Sequence, residues 1–369
     1  MKILFGVQGT GNGHISRSRT LGRALAEQGI EVDYLFSGRA RAGYFEMETF
    51  GDYRSFDGIS FVSRAGRVQP WDTLRQLAPL RFWQDLKGLD CSGYDLVISD
   101  FEPLSAHAAR RQGVPSISIS HQASFHWPVP RWGENRLSQQ LMRHYAPVRQ
   151  RLGLHWFHFG HPLLPPIVDA MRPTPDNQSI LVYLPFEQPD AIAALLSRFS
   201  QHHFVCFHPA ITETSEWRNI RFEPQVRDGF KAQLCGCRGV ISNAGFELAS
   251  EALSLGKKLL VKPLGGQFEQ LSNGKTLELM GLAQLMDSLD ANGVRSWLDT
   301  SAPGPIVYPD VAAALALWLA EGAEEPLPSL SRRLWAKTLF PEEVGDRLSE
   351  LAEGETIGGA WLSQLGVLE

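Results

Sequence analysis

The 369-residue sequence predicts an α/β protein of two Rossmann-like, doubly wound domains that face each other across a cleft. Short apolar runs alternate with helical patterns in both halves of the chain, which is typical of parallel sheets connected by helices. Between the halves, at 160–178, prolines cluster and the periodicity fails, as in a linker. We therefore predict an N-terminal domain at 1–165 and a C-terminal domain, with terminal helices, at 166–369.

The predicted strands of the first half are KILFGV, EVDYLFS, DLVISD and SISIS. A helix is predicted from about Ile15 to Gln28, and Gly29 closes it as a C-terminal cap. A second helix, PLSAHAARRQG, ends before a proline that cannot continue it. After the linker, the predicted strands are SILVYLPFEQ, HFVCFHP, IRFEPQ, GVISNAG and KKLLVKP, with the helix FELASEALSLG between the last two.

Composition excludes several classes of protein. With 43% hydrophobic and 20% charged residues the chain is of the globular type, and its four cysteines do not form a disulfide framework or a zinc site. The N-terminus lacks a signal peptide, and the longest apolar helical run is about half a membrane span. We expect a cytoplasmic protein. Residues 1–165 carry a net charge of +5 within a total of −5, which favours an anionic partner such as a phosphate or, peripherally, a membrane face, but not nucleic acid.

A glycine-rich turn follows the first strand and leads into His14. A dinucleotide fingerprint would place a third glycine at this position and an acid at the end of the second strand, whereas Asp33 lies inside that strand. A nicotinamide cofactor is therefore disfavoured. What remains is a turn that allows close approach of a ligand, with His14 projecting into the cleft as a candidate base. The alternative is a histidine that caps the helix or bonds a neighbouring carbonyl.

A second constellation spans 241–281. Asn243, Ala244 and Gly245 bring backbone N–H groups to a helix start, which suits a pyrophosphate, and Glu251 follows on that helix within reach of ribose hydroxyls. The next loop carries three polar residues that suit a polyhydroxylated ligand. They are Gln267, Glu269 and Gln270. The alternative, a βαβ unit with a solvated loop, leaves these paired polar residues unexplained.

This stretch resembles the donor-binding signature of GT-B glycosyltransferases that use nucleotide sugars, such as the lipid-linked N-acetylglucosaminyltransferase of cell-wall synthesis and the UDP-glucuronosyl and plant UDP-sugar transferases. The resemblance implies a nucleoside diphosphate sugar, by default a UDP-sugar, as co-substrate, with no other cofactor and no metal. It assigns Glu251 to the ribose and Glu269 with Gln270 to the donor sugar. Gln225, with Phe222, would flank the base.

The segment GTGNGH resembles the N-terminal glycine loop of the cell-wall enzyme, which makes His14 the candidate catalytic base and Gly11, Asn12 and Gly13 donor contacts. Three positions depart from the pattern. Asn243 stands where the plant enzymes have a pyrophosphate-binding histidine, and Leu248 where a serine or threonine reaches phosphate. Phosphate contacts would then come from the backbone. The third is Glu247, whose negative charge lies close to the expected diphosphate, which is unfavourable unless its side chain points away.

Asp100 ends an N-terminal strand at the cleft and is our choice for the residue that orients His14, with His121 at a similar height as the alternative. Glu102 is expected at the surface or against an acceptor. The aromatic segment HQASFHWPVPRW, at 121–132, has three open interpretations: an acceptor loop, a membrane contact, or a loop packed on its own domain.

The sequence therefore predicts inverting transfer of a sugar to an acceptor hydroxyl. The acceptor class stays open among saccharides, lipids and small molecules. A UDP-sugar epimerase of the same fold is the first alternative, and it would recruit carboxylates such as Glu102, Glu187 and Glu269. A non-catalytic protein that binds sugar nucleotides is the second.

Overall fold

The computed structural model describes residues 1–44, 47–58, 63–64, 67–68, 79–225 and 227–356. Within them, the N-terminal sheet consists of β1 (Lys2–Gln8), β2 (Glu31–Ser37), β3 (Arg54–Phe56), β6 (Leu96–Asp100), β7 (Ser116–Ser120) and β8 (Gln150–Gly153). Two-residue strands β4 (Ser63–Arg64) and β5 (Arg67–Val68) pair separately. The sheet order is β3-β2-β1-β6-β7-β8, and every pairing is parallel.

The C-terminal sheet consists of β9 (Ser179–Tyr183), β10 (His203–Phe207), β11 (Ser215–Trp217), β12 (Ile220–Glu223), β13 (Gly239–Asn243), β14 (Lys258–Lys262) and β15 (Gln284–Leu285). Its order is β11-β12-β10-β9-β13-β14-β15, and only the edge strand β11 is antiparallel among these described pairings. The prediction of two doubly wound α/β domains is confirmed, and each of the predicted strand segments contains a strand.

The helices of the described residues are α1 (Asn12–Glu27), α2 (Pro79–Gly88), α3 (Pro103–Gln112), α4 (Arg136–His144), α5 (Pro189–Leu196), α6 (Arg227–Gly236), α7 (Phe246–Ser254), α8 (Phe268–Leu279), α9 (Ala291–Leu298), α10 (Val311–Ala320), α11 (Leu327–Trp335) and α12 (Glu342–Thr356). Short 3-10 turns occupy Arg41–Gly43, Glu48–Phe50 and Gln122–His126. Helix α1 begins three residues before the predicted start, which places His14 inside its first turn.

Each sheet has a switch point where the strand order reverses, between β1 and β6 in the first and between β9 and β13 in the second. In doubly wound sheets, ligands bind at the carboxyl ends of the strands beside such points. The central strands β6, β7 and β13 are buried along their whole length, as expected where helices cover both faces of a parallel sheet.

The C-terminal helices return to the N-terminal domain. Helix α10 packs against α1, and Ser331 Oγ and Trp335 Nε1 donate to the carbonyl of Leu163 at 2.6 and 2.7 Å. One hydrophobic cluster also spans both domains and includes Val7 of the first and Phe246 of the second. The two sheets therefore form one packed body, and the boundary at 165 stays a prediction because the chain crosses back after it.

Candidate active site

The site lies where the four strand ends beside the two switch points meet. Strand β1 leads through the glycine-rich turn to His14, and β6 ends at Asp100. From the other domain, β9 ends at Tyr183 and β13 at Asn243. Residue Phe101, directly after β6, has a φ of +52°, a left-handed conformation that costs a non-glycine residue about 1–2 kcal/mol. This turn separates Asp100, in the site, from the helix cap that follows it.

His14 and Asp100 form a pair. The Nδ1 atom of His14 lies 2.9 Å from Oδ1 of Asp100, whose side chain is fully buried, while 14% of the His14 side chain is exposed. Because a carboxylate only accepts hydrogen bonds, we assign the ring hydrogen to Nδ1. The Nε2 atom then carries the lone pair, which is the arrangement a general base requires.

Arg17, which the sequence analysis missed, completes this pair. Its Nε and Nη2 atoms donate to the two oxygens of Asp100 at 3.0 and 2.8 Å, in the bidentate geometry that guanidinium groups form with carboxylates. Its Nη1 atom donates across the domain interface to Oε2 of Glu247 at 2.9 Å. The signal in the sequence is spacing, because residues three apart on a helix share a face.

The buried charges in this cluster have different pKa values. Burial by itself would raise the pKa of Asp100, but Arg17 and His14 outweigh it and hold that pKa below its usual value. At Glu247, burial dominates and raises the pKa to about 8, with Glu251 and Asp100 adding to the rise and Arg17 opposing it. Burial also disfavours a charged Arg17, yet the two carboxylates raise its pKa overall. Asp100, which receives two hydrogen bonds from Arg17, therefore keeps its charge more firmly than Glu247.

The start of α1 touches the start of α7. A Cβ atom added to Gly13 would lie 3.0 Å from Cβ of Glu247, so glycine at this position allows the two helices to approach. The Glu247 carboxyl group accepts a hydrogen bond from Arg17 of the N-terminal domain. The N-cap of α7 is Gly245, which makes no side-chain capping bond with the described residues, and a Cβ there would meet nothing within 4 Å.

Asn12 connects the glycine-rich turn to the C-terminal domain. Its Nδ2 atom lies 3.5 Å from the hydroxyl of Tyr183, which also accepts a hydrogen bond from Nε2 of Gln225. Arg39 donates to Oδ1 of Asn12 at 3.3 Å. Asn12 and Gln225, from the two domains, thus both donate to the Tyr183 hydroxyl, and Arg39 holds Asn12 from the other side. Tyr183 was missed because only its position at the end of a central strand indicates it. Gly11 borders the same turn, where a Cβ would lie 3.7 Å from the His14 ring.

Phe222 does not lie where the resemblance placed it. It is 6% exposed and belongs to the hydrophobic core of the C-terminal domain, opposite Cys206 on β10. Along β12, Ile220 and Phe222 are buried while Arg221 between them is exposed, which is the alternation expected of a strand with one face on the core. The Phe222 ring therefore packs in the core and is unavailable to stack on a nucleotide base.

Polar residues predicted to bind the donor all have partners within the protein. Glu251, 6% exposed, accepts a hydrogen bond from Ser16 of α1 at 3.3 Å. Gln267 caps α8 by accepting from the N–H of Gln270 at 3.2 Å, and Oε1 of Gln270 accepts from the N–H of Leu264 at 2.8 Å. Donor contacts at Glu251 would therefore replace or share an interdomain bond.

Asn243 and Ala244 lie at the end of β13, beside the start of α7. Nδ2 of Asn243 donates to the carbonyl of Lys262 at 2.8 Å, which ties it to the neighbouring strand β14. The Oδ1 atom of the same side chain is buried and has no hydrogen-bond partner among the described residues. The carbonyl of Ala244 accepts from Nδ2 of Asn273 at 3.0 Å. Here the backbone is held by amide side chains.

Segment 121–132 packs on the other domain. The His121 ring stacks on Phe246 at 4.0 Å and its Nε2 lies 2.7 Å from Oδ1 of Asn273. Nε2 of Gln122 donates to Glu269 at 3.0 Å. His121 thus contacts the C-terminal domain, and it is Asp100 that hydrogen-bonds to His14. Helix α8 of the C-terminal domain therefore covers this segment, a contact that none of the three interpretations named.

The carboxylates considered for an epimerase have three separate sets of partners. Glu102 is fully buried and caps α3 by accepting from the N–H groups of Leu104 and Ser105 at 2.8 and 2.6 Å. It therefore lies neither at the surface nor against an acceptor. Glu187 pairs with Lys262 at 2.6 Å, and Glu269 faces the N-terminal domain. No carboxylate cluster of the kind that an epimerase needs is visible among these three.

In the described part of the chain, no group of three or more histidine, cysteine or acidic side chains is arranged to hold a metal ion. Among the same residues, no helix has the length and apolar character that crossing a membrane requires.

The family model of glycosyl transferase family 1 matches residues 1–301. The chain belongs to this family. Its fold is that of the GT-B glycosyltransferases. The glycosyltransferase SnogD from Streptomyces nogalater is 17% identical, with a TM-score of 0.51 over 91% of this chain and 99% of that chain. UGT2 from Phytolacca americana, solved with UDP-2-fluoroglucose and pterostilbene, is 13% identical, with a TM-score of 0.54 over 96% and 98%.

Two curated relatives match a shorter segment. An uncharacterized glycosyltransferase from Methanosarcina acetivorans is 32% identical over 127 residues, and one from Methanosarcina mazei is 30% identical over 126 residues. These matches cover 33% of this chain and about a third of the length of each relative.

Proposed function

We propose that this glycosyl transferase family 1 protein transfers a sugar from a nucleoside diphosphate sugar, with UDP as the nucleotide, to the hydroxyl group of an acceptor, and that the anomeric carbon is inverted. The observation that carries the proposal is the His14–Asp100 pair. Nδ1 of His14 lies 2.9 Å from Oδ1 of Asp100, and the pair lies beside the start of α7. A base on one domain thus lies next to an anion-binding helix terminus on the other.

In this reaction the acceptor hydroxyl gives its proton to Nε2 of His14 as its oxygen attacks the anomeric carbon. The bond between that carbon and the diphosphate oxygen breaks, and its electron pair leaves with the nucleoside diphosphate. Attack from the face opposite the leaving group inverts the carbon. Asp100 stays ionised and stabilises the imidazolium that forms, a role that suits its lowered pKa.

Backbone N–H groups meet the charge that develops on the leaving diphosphate. They belong to the start of α7 near Gly245 and to the turn that contains Gly11, Asn12 and Gly13. Preorganised donors of this kind are worth about 2.7–4 kcal/mol each. Gln225, beside Tyr183, would flank the nucleotide base, and Glu251 would bind the ribose. Gln267, Glu269 and Gln270 would border the donor sugar.

The relatives support the same class of substrate. Phytolacca americana UGT2 was crystallised with a UDP-sugar analogue and a small-molecule acceptor. At this level of identity the likeness concerns the fold alone. UDP as the nucleotide and inversion of the anomeric carbon are therefore parts of the proposal. The acceptor stays open.

A panel of UDP-sugars tests the proposal with water as the acceptor, with release of UDP as the readout and, for the donor that is hydrolysed, proton NMR of the released sugar. We expect UDP release that falls about 10²–10⁴-fold in His14→Ala, and a first-formed anomer opposite to that of the donor. The matched control is His203→Ala, an exposed histidine at the amino end of β10. UDP release that is equal in both variants would contradict the role of His14, and an epimerised UDP-sugar would favour the epimerase.

A further inference from the structure

Arg17 contacts three residues of the proposed active site. Its guanidinium binds both oxygens of Asp100, comes within 3.0 Å of Nδ1 of His14, and reaches Glu247 of the other domain. Only 4% of its side chain is exposed. A buried arginine with this set of contacts lies behind the base, where it does not need to touch a substrate.

The orientation of His14 depends on Asp100, and the orientation of Asp100 depends on its hydrogen bonds to Arg17. Both oxygens of this fully buried carboxylate bond to Arg17, and Oδ1 is shared with the imidazole. A hydrogen bond from a guanidinium to a carboxylate is stronger than one to a neutral ring nitrogen, so Arg17 bonds to Asp100 and leaves the Nδ1 hydrogen in place. The two hydrogen bonds from Arg17 thus fix the plane of the Asp100 carboxylate, and the carboxylate in turn fixes the orientation of the His14 ring.

The third arm of Arg17 connects this arrangement to the donor-binding domain. Glu247 lies in the first turn of α7, whose N-terminus is the proposed diphosphate site, and Gly13 allows this turn to approach α1. Glu247 accepts a hydrogen bond from Nη1 at 2.9 Å, which restricts rotation of the guanidinium and links Arg17 to the C-terminal domain.

We infer that Arg17 is a positioning residue that aligns the His14–Asp100 pair, and that its contact with Glu247 of the other domain holds it in this alignment. The inference rests on the proposed function for the role of His14. Its structural content, a restraint that runs from Glu247 through Arg17 to His14, can be measured without turnover.

The experiment observes the Nδ1–H proton of His14 by NMR in the full chain labelled with ¹⁵N-histidine, with assignment by its loss in His14→Gln. In the parent protein we expect a slowly exchanging, downfield resonance. Arg17→Gln and Arg17→Lys should lose it through fast exchange, since lysine lacks the fork, and Glu247→Ala should broaden it while Asp100 and Arg17 are retained. Glu247→Ala also serves if the Arg17 variants do not fold.

Arg23→Gln is the matched control. It removes a half-exposed arginine of the same helix that forms another ion pair, with Asp169 at 2.6 Å, and should leave the resonance unchanged. With UDP-glucose or whichever UDP-sugar is active, Arg17→Gln should lower kcat about 100-fold while KM changes less than about threefold.

A His14 resonance that persists in Arg17→Lys and Glu247→Ala as it does in Arg23→Gln would overturn the inference, as would its absence from the parent protein. If no UDP-sugar is turned over while the resonance responds as expected, the proposed function fails and the restraint stands.

Discussion

The two strand edges that meet at the domain interface differ in what they offer to a substrate. The N-terminal edge presents charged and titratable side chains fixed by one another, with His14, Asp100 and Arg17 within 3.0 Å of their partners. The C-terminal edge presents a helix start at Gly245 without a side-chain cap among the described residues. Proton transfer needs an oriented side chain, whereas anion binding needs only backbone N–H groups. We propose that the N-terminal edge carries proton transfer and that the C-terminal edge, together with the backbone of the glycine-rich turn, binds the diphosphate.

The largest effect should come from breaking the N-terminal edge. Asp100→Asn removes the charge that stabilises the imidazolium and leaves Arg17 without its strongest partner, so we expect UDP release to fall about 10²–10⁴-fold. UDP affinity, measured by calorimetry, should stay within about twofold because the edge assigned to binding is intact. A loss of UDP affinity as large as the loss of turnover would remove the division between the edges.

The next effect concerns binding alone. Glu251→Ala removes the carboxylate proposed for the ribose, and a hydrogen bond to a charged group is worth about 1.5–3 kcal/mol, so UDP affinity should fall about 10- to 100-fold. The parent protein should also bind UDP more tightly than 2′,3′-dideoxy-UDP, and the variant should bind both equally. Ser16→Ala, which removes the hydroxyl that donates to Glu251, is the control and should not lower the affinity for UDP.

A smaller effect should appear with pH. Because burial raises the pKa of Glu247 to about 8, this group is largely protonated at pH 7 and ionises as the pH rises through 8, which adds a negative charge near the diphosphate. Arg17, Asp100 and Glu251 surround it. We expect UDP affinity to fall about tenfold between pH 7 and pH 9. In Glu247→Gln this dependence should disappear. Equal slopes in both proteins would place the diphosphate elsewhere.

The smallest effect tests how closely the two edges approach. Gly13→Ala places a methyl group 3.0 Å from Cβ of Glu247, and either helix start must shift by a few tenths of an ångström. We expect a loss of stability of about 1 kcal/mol, seen as a lower Tm in thermal unfolding. Gly93→Ala, whose new methyl group would meet nothing within 4 Å in an exposed turn, is the control and should leave Tm nearly unchanged. A Gly13→Ala protein as stable as the parent would show that the contact is loose.

Much of this architecture could be predicted locally. Strands, helices and the break at 160–178 follow from periodicity and from glycine and proline, which act over a few residues. The alternation in β12, with Ile220 and Phe222 on one face and Arg221 on the other, also indicated a core position for Phe222. The resemblance placed Phe222 beside the nucleotide base, and its position in the hydrophobic core contradicts that prediction.

Other features depend on residues far apart in the chain. Glu102, which caps α3, also accepts a hydrogen bond at 2.6 Å from Oγ of Ser37, which lies 65 positions earlier in the chain. Segment 121–132 is covered by α8, about 140 residues later, as in the bond from the N–H of Trp132 to Ser272 Oγ at 2.9 Å. No local pattern encodes which helix of the second domain meets a loop of the first.

The sequence by itself determined two doubly wound sheets and placed His14 and Asp100 at neighbouring strand ends, because parallel strands bring their carboxyl ends to one edge. Only the tertiary structure decided what joins them. Arg17 bonds to Asp100 across 83 positions and to Glu247 across 230 positions. Such contacts form when packing buries charged and polar groups together, where each must find a hydrogen-bond partner to offset its lost hydration.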